Sequence, residues 1–163
     1  MVPPLLYLGL QGVALARRSL TRIPLHQLEN PCVEQLPLLE QFTLVAELHD
    51  FRVVLNDWLV ADLGYRTVLS LLPAPIARKT IGATMRGNRA HRRHVGLMRK
   101  DLLRADIERR NPHRFLIVDA YASAIPFEHK RHAVLVDESA QESASHTVEA
   151  ILQLLFSDVN HMD

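Results

Sequence analysis

Arg114-Phe115-Leu116-Ile117-Val118-Asp119-Ala120-Tyr121-Ala122 is the stretch on which the fold reading turns. At its centre stand four large apolar residues in a row, without the polar alternation of a half-buried strand. Such a run suits a strand covered on both faces. After a turn around Pro126 a second run, Ala133-Val134-Leu135-Val136, repeats the pattern. Working upstream, Asn88 is placed to cap a helix from Arg89 to Arg110, with an apolar stripe of Val95, Met98, Leu102 and Ala105, and Asn111-Pro112 stops it. Working downstream, the polar stretch 137–145 reads as a loop. From it a last helix emerges with Val148, Ile151, Leu152, Leu155 and Phe156 on one side.

In the first half of the chain, Pro3-Pro4 precede an expected helix from Leu5 to Arg22, and a second helix is expected from Pro37 to Leu48. Asp50 is read as the cap of a helix with the face Phe51, Val54, Leu55, Trp58, Leu59 and Leu63, ended by Gly64. Tyr65 to Leu72 reads as a strand stopped by Pro73-Ala74-Pro75. Helices thus interleave with strands. The expectation is a single α/β domain over residues 1–163 (mixed α+β being the variant), with three to four strands and about five helices, strand order undetermined.

Length and composition agree: 163 residues, 48% hydrophobic and 23% charged, describe a globular chain, neither a disordered nor a membrane one. One cysteine, Cys32, excludes an intrachain disulfide and a multi-thiolate metal site, so a cytoplasmic protein is expected. The apolar run Leu5 to Ala16 is too short to span a bilayer. The acid-free, arginine-bearing N-terminal segment resembles a mitochondrial targeting helix in composition, a composition shared by amphipathic first helices.

Net charge is +1, yet it is unevenly spread. From Arg78 to Arg114 twelve Lys or Arg stand against three acids, a net +9, while the remainder holds seven bases and fifteen acids, a net −8. A segment of this kind points to a polyanionic partner, nucleic acid first, held by Arg86, Arg89, His91, Arg92, Arg93, His94 and Arg99 in an Arg/His-rich helical segment. No aromatic residue interrupts it, which favours contacts to the backbone or a duplex over base stacking. A solvated helix face is the plain alternative. A third reading is self-association of complementary basic and acidic faces into a homo-oligomer.

Two tetrads, His91-Arg92-Arg93-His94 and His129-Lys130-Arg131-His132, share H-x-x-H spacing. Their cations favour phosphate over a divalent ion, so neither metal nor cofactor is expected. Both apolar strands end in acids, Asp119 and Asp137-Glu138, where ligands of open α/β sheets collect. Asp119 with Glu128-His129-Lys130 is similar in outline to the D…E-x-K arrangement of metal-dependent nucleases. That likeness implies two carboxylates on a magnesium ion and Lys130 assisting water, hence a phosphodiesterase with Asp119, Glu128 and Lys130 as candidate catalytic residues.

Asp119-Ala-Tyr-Ala-Ser-Ala-Ile-Pro-Phe127 resembles the D-A-Y…I-P-F-H segment of spermidine-synthase-like aminopropyltransferases, and Tyr65…Leu71-Leu72-Pro73-Ala74-Pro75…Arg78-Lys79 resembles the approach to that family's cofactor strand. The resemblance implies an aminopropyltransferase- or methyltransferase-like fold in degenerate form. The glycine-rich turn that admits a nucleoside cofactor is not found at Gly82 and Gly87, and no acid is recognised at the end of a second strand.

Overall fold

The computed structural model describes residues 1–20, 33–85 and 98–157. One five-stranded sheet organises them, built from β1 (Leu5–Leu8), β2 (Arg52–Leu55), β3 (Thr80–Ala83), β4 (Phe115–Asp119) and β5 (Ala133–Leu135). The order is β3-β2-β1-β4-β5 and every neighbouring pair is parallel. Chain direction across the sheet therefore reverses at β1: the chain runs outward to β3 on one side, then returns to the centre and runs out to β5. This is the doubly wound plan, in which β1 and β4 flank a switch point.

Parallel strands need covering crossovers, and among the described residues these carry α1 (Arg17–Leu20), α2 (Pro37–Ala46), α3 (Trp58–Leu63), α4 (Tyr65–Ser70), α5 (Ala74–Lys79) and α6 (Arg99–Arg110), while α7 (Ala144–Phe156) follows β5. Side chains alternate across the sheet. Leu6, Leu8, Val53, Leu55, Leu116 and Val118 face the larger core with α2, α5 and α7. Leu5, Tyr7, Val54 and Ile117 face the smaller one, closed by Leu103 and Ile107 of α6 and by Ile125. Under the smaller core, the Tyr7 hydroxyl donates to Asp106 (3.1 Å), which also accepts from Arg109 and Arg110. Burial, then the Asp106 charge, holds the Tyr7 phenol well above its usual range.

Several sequence expectations are met. Strands stand at β4 and β5, and α2 lies within its expected range. Gly64 ends α3 with φ 87°, Asn111 ends α6 in the left-handed region, and α7 buries Val148, Ile151, Leu152 and Leu155. Four expectations need correction. The helix expected from Leu5 begins instead as β1, because Leu5-Leu6-Tyr7-Leu8 is buried on both faces and so lacks alternation. The Asp50 helix divides into β2 and α3, the cap being Asp57, whose carboxylate accepts from the Leu59 N–H (2.9 Å). The strand expected at Tyr65 is α4. The helix expected to run unbroken from Arg89 to Arg110 starts at Arg99 as α6, because Met98 before it is extended (φ −112°, ψ 150°); residues 89–97 lie outside the described residues. The strand count is accordingly five, not three to four. Segment 138–143, read as loop, forms a 3-10 turn, and Phe156 remains 37% exposed. Among the described residues no helix is long and apolar enough to cross a membrane.

Candidate functional site

At the carboxyl ends of β1, β2 and β4 the chain leaves the sheet through loops that meet above the switch point. The loop after β1 runs Gly9-Leu10-Gln11-Gly12. Gly9 is required there: a Cβ on it would stand 2.5 Å from Oδ2 and 2.8 Å from Cγ of Asp119. Gly12 adopts φ 79°, a conformation open to glycine. A G-x-x-G pair thus stands directly after β1, within residues expected to be helical.

The acid at the end of the second strand is Asp57. It is 1% exposed and receives the N–H groups of Leu10 (2.9 Å) and Gln11 (2.9 Å) and the Gln11 side-chain amide (2.7 Å). Two successive backbone amides that could cradle a phosphate are therefore filled by the protein's own carboxylate. Beside Asp57, Asn56 is also 1% exposed. Its Oδ1 accepts from Thr84 (2.8 Å), and its Nδ2 has no hydrogen-bond partner among the described residues.

Asp119 ends β4 at 1% exposure. Arg99, at the start of α6, forks onto both its oxygens (2.9 and 3.0 Å) while also donating to the Asn56 carbonyl. The Tyr121 N–H adds a third donor at 3.0 Å. Burial still raises the Asp119 carboxyl above the ordinary range against the lowering by Arg99, and the nearby Asp57 charge raises it further. Among the described residues of this crevice, Arg99 is the guanidinium bonded to Asp119, and Asp57 is held by backbone and amide N–H groups.

The Tyr121 ring lies between two cations, with the guanidinium carbons of Arg17 and Arg99 at 5.4 and 5.6 Å from its centroid. Arg17 is in turn held by Glu138 (2.6 Å), so the loops after β1, β4 and β5 are tied together. Above them opens a cleft of about 270 Å³ lined by Gln11, Trp58, Arg99, Tyr121 and Ser123.

The sequence candidates separate. Asp119 and Arg99 meet, as carboxylate and counter-ion. Glu128 lies in the 3-10 turn Phe127–His132 and pairs with Arg104, which holds its carboxyl down at about 2. Lys130 sits over the Phe127 ring at 4.7 Å. Asp119 and Glu128 thus have different arginine partners. His129 and His132 share one face, as the three-residue period of a 3-10 turn dictates, and both rings pack on Phe115, at 5.3 and 4.8 Å between centroids. Among the described residues no group of three or more His, Cys, Asp or Glu could hold a metal ion. Arg86, Arg89, His91, Arg92, Arg93 and His94 lie outside the described residues. Gln11, Asn56 and Asp57 carry no reading in the sequence, Trp58 is expected there only on a core-facing helix, and Tyr121 and Ser123 enter only within the aminopropyltransferase-like segment. The signal available was an apolar run ending in Asn56-Asp57 and a glycine pair directly after Leu5–Leu8. No protein-family model, curated protein or solved structure matches the chain.

Proposed function

We propose that the chain is a small-molecule-binding domain whose ligand, of uncharged nucleoside type, occupies the cleft above β1 and β4. The observation that carries this reading is the convergence of the loops after these two strands, with Asp119 packed against Gly9 at the point where doubly wound sheets bind nucleosides and nucleotides. Trp58 offers a planar wall, and Gln11, Arg99, Tyr121 and Ser123 offer hydrogen bonds. A volume of 270 Å³ suits one nucleoside and not a dinucleotide. Phosphate is disfavoured by Asp57, whose carboxylate fills the amide pair.

The segment resembling aminopropyltransferases, Asp119 to Phe127, supplies one side of this crevice, which supports the degenerate-fold reading over the nuclease reading. Arg99 occupies both oxygens of Asp119, so the reading is of binding, not of proton transfer at that carboxylate. Trp58 is the sole tryptophan of the chain, so its fluorescence reports on the cleft. Saturable change with adenosine, weaker change with AMP, and loss of both in Tyr121→Ala are expected. No change with any nucleoside up to about 1 mM would reject the reading.

Nucleic-acid binding is a second reading, supported by the net +9 of residues 78–114. Arg78, Arg99, Arg104, Arg109 and Arg110 already have carboxylate partners, so this reading places the contacts on Arg86, Arg89, Arg92 and Arg93. Its test is affinity for duplex DNA against salt: a steep fall supports it, and absence of binding at low salt excludes it.

A further inference from the structure

β5 is the edge of the sheet, and among the described residues nothing pairs with its outer side. An open edge exposes a row of unpaired N–H and C=O groups ready to accept another strand. A large apolar side chain stands on it: Leu135 is 55% exposed. What would cover the edge is indicated by the charges that flank it. The sequence reads Lys130-Arg131-His132-Ala133-Val134-Leu135-Val136-Asp137-Glu138, basic on one side of Val134 and acidic on the other at equal spacing.

We propose that β5 pairs antiparallel with β5 of a second copy of this chain, about a two-fold axis through Val134. In that register Ala133 of one copy faces Leu135 of the other, and just beyond the three-residue strand Arg131, in the 3-10 turn before it, comes beside Asp137 of the other copy, which caps the turn after it. A two-fold axis makes every contact occur twice, so the dimer holds two Arg131–Asp137 pairs. Both residues are exposed, and Arg131 makes no ion pair among the described residues. The next symmetric pair, Lys130 with Glu138, is weaker because Glu138 already holds Arg17. Leu135 projects to the same side as Ala133, so each Leu135 covers the partner's Ala133 and the two five-stranded sheets become continuous. A parallel pairing would set Arg131 against Arg131 and Asp137 against Asp137, which like-charge repulsion disfavours.

The occupant and the register are tested together by light scattering during gel filtration of the whole chain, from about 10 to 200 μM. Wild type is expected to shift from monomer to dimer across that range. Arg131→Asp and Asp137→Arg each convert two attractive contacts into two repulsive ones, and each should weaken dimerisation by about tenfold or more. Mixed in equal amounts, the two variants should form a heterodimer, because each acid then meets an arginine at both contacts. Circular dichroism of each variant checks the fold, since Asp137 also accepts from the Ser139 N–H; Leu135→Lys, which touches no such bond, provides a second disruption. A wild type that stays monomeric at the highest concentration overturns the proposal. So do variants that dimerise as wild type does, or a mixture that stays monomeric.

Discussion

Replacing Arg99 by methionine tests how the crevice is held. Arg99 and Asp119 are 10% and 1% exposed in their side chains, joined by two N–H···O contacts at 2.9 and 3.0 Å. Removing one partner of such a pair leaves an uncompensated buried charge and costs about 3–5 kcal/mol. Here the loss is toward the upper end, because Arg99→Met also deprives the Asn56 carbonyl of its donor and leaves Asp119 beside Asp57. The sign of the pH dependence follows from the carboxyl. Burial already raises Asp119 above its unfolded value, and removing the cation raises it further. The folded variant therefore holds a proton that its unfolded chain releases, so its stability is greatest at low pH and is lost as pH rises through the folded value. Urea unfolding of wild type and Arg99→Met should show a deficit of several kcal/mol at about pH 7.5 that shrinks at about pH 5. In the double variant Arg99→Met/Asp119→Leu, with no buried charge left in the pair, much of the loss should be recovered. A single-variant cost below about 1 kcal/mol, or a deficit that grows on acidification, would refute the reasoning.

Other expectations rest on separate contacts. Gly9→Ala places a methyl against a carboxylate pinned by Arg99 and Tyr121, and should cost about 1–3 kcal/mol and diminish any nucleoside response of Trp58; an unchanged melting curve would contradict the packing. Gly64→Ala meets open space but carries φ 87° and ψ 150°, so backbone strain alone should cost about 1–3 kcal/mol by thermal unfolding. Leu103→Ala empties the smaller core at a fully buried position and should cost about 2–5 kcal/mol in urea. Burial on Phe115, then the neighbouring His129, lowers the His132 imidazole; stability it supports is present above its unfolded value and is lost as pH falls toward the folded one. His132→Phe should flatten the pH dependence of unfolding below about pH 6.5.

Punctuation was legible in the sequence because it acts locally. Gly64 and Asn111-Pro112 stop helices by backbone conformation wherever they stand, and the 3.6-residue stripe of Val148, Ile151, Leu152 and Leu155 names its buried face without reference to a partner. The apolar runs before Asp119 and Val136 were equally plain, since turn residues bound them. What stayed hidden were Leu5–Leu8, whose apolar run continues to Ala16 without a stop, Arg52–Leu55, where Phe51, Val54, Leu55 and Trp58 also fit a helical stripe, and α4, whose Tyr65, Thr67 and Val68 favour a strand in isolation. The site divides in the same way. Asp119 was identifiable because it ends a strand, and Arg99 because it is charged. That Asp119 meets Arg99 beneath Gly9, from the far end of the chain, depends on β1 lying next to β4. Strand order is set by which crossovers can cover which faces, a property of the assembled sheet, and it alone turned an arginine expected to meet phosphate into the partner of a buried carboxylate.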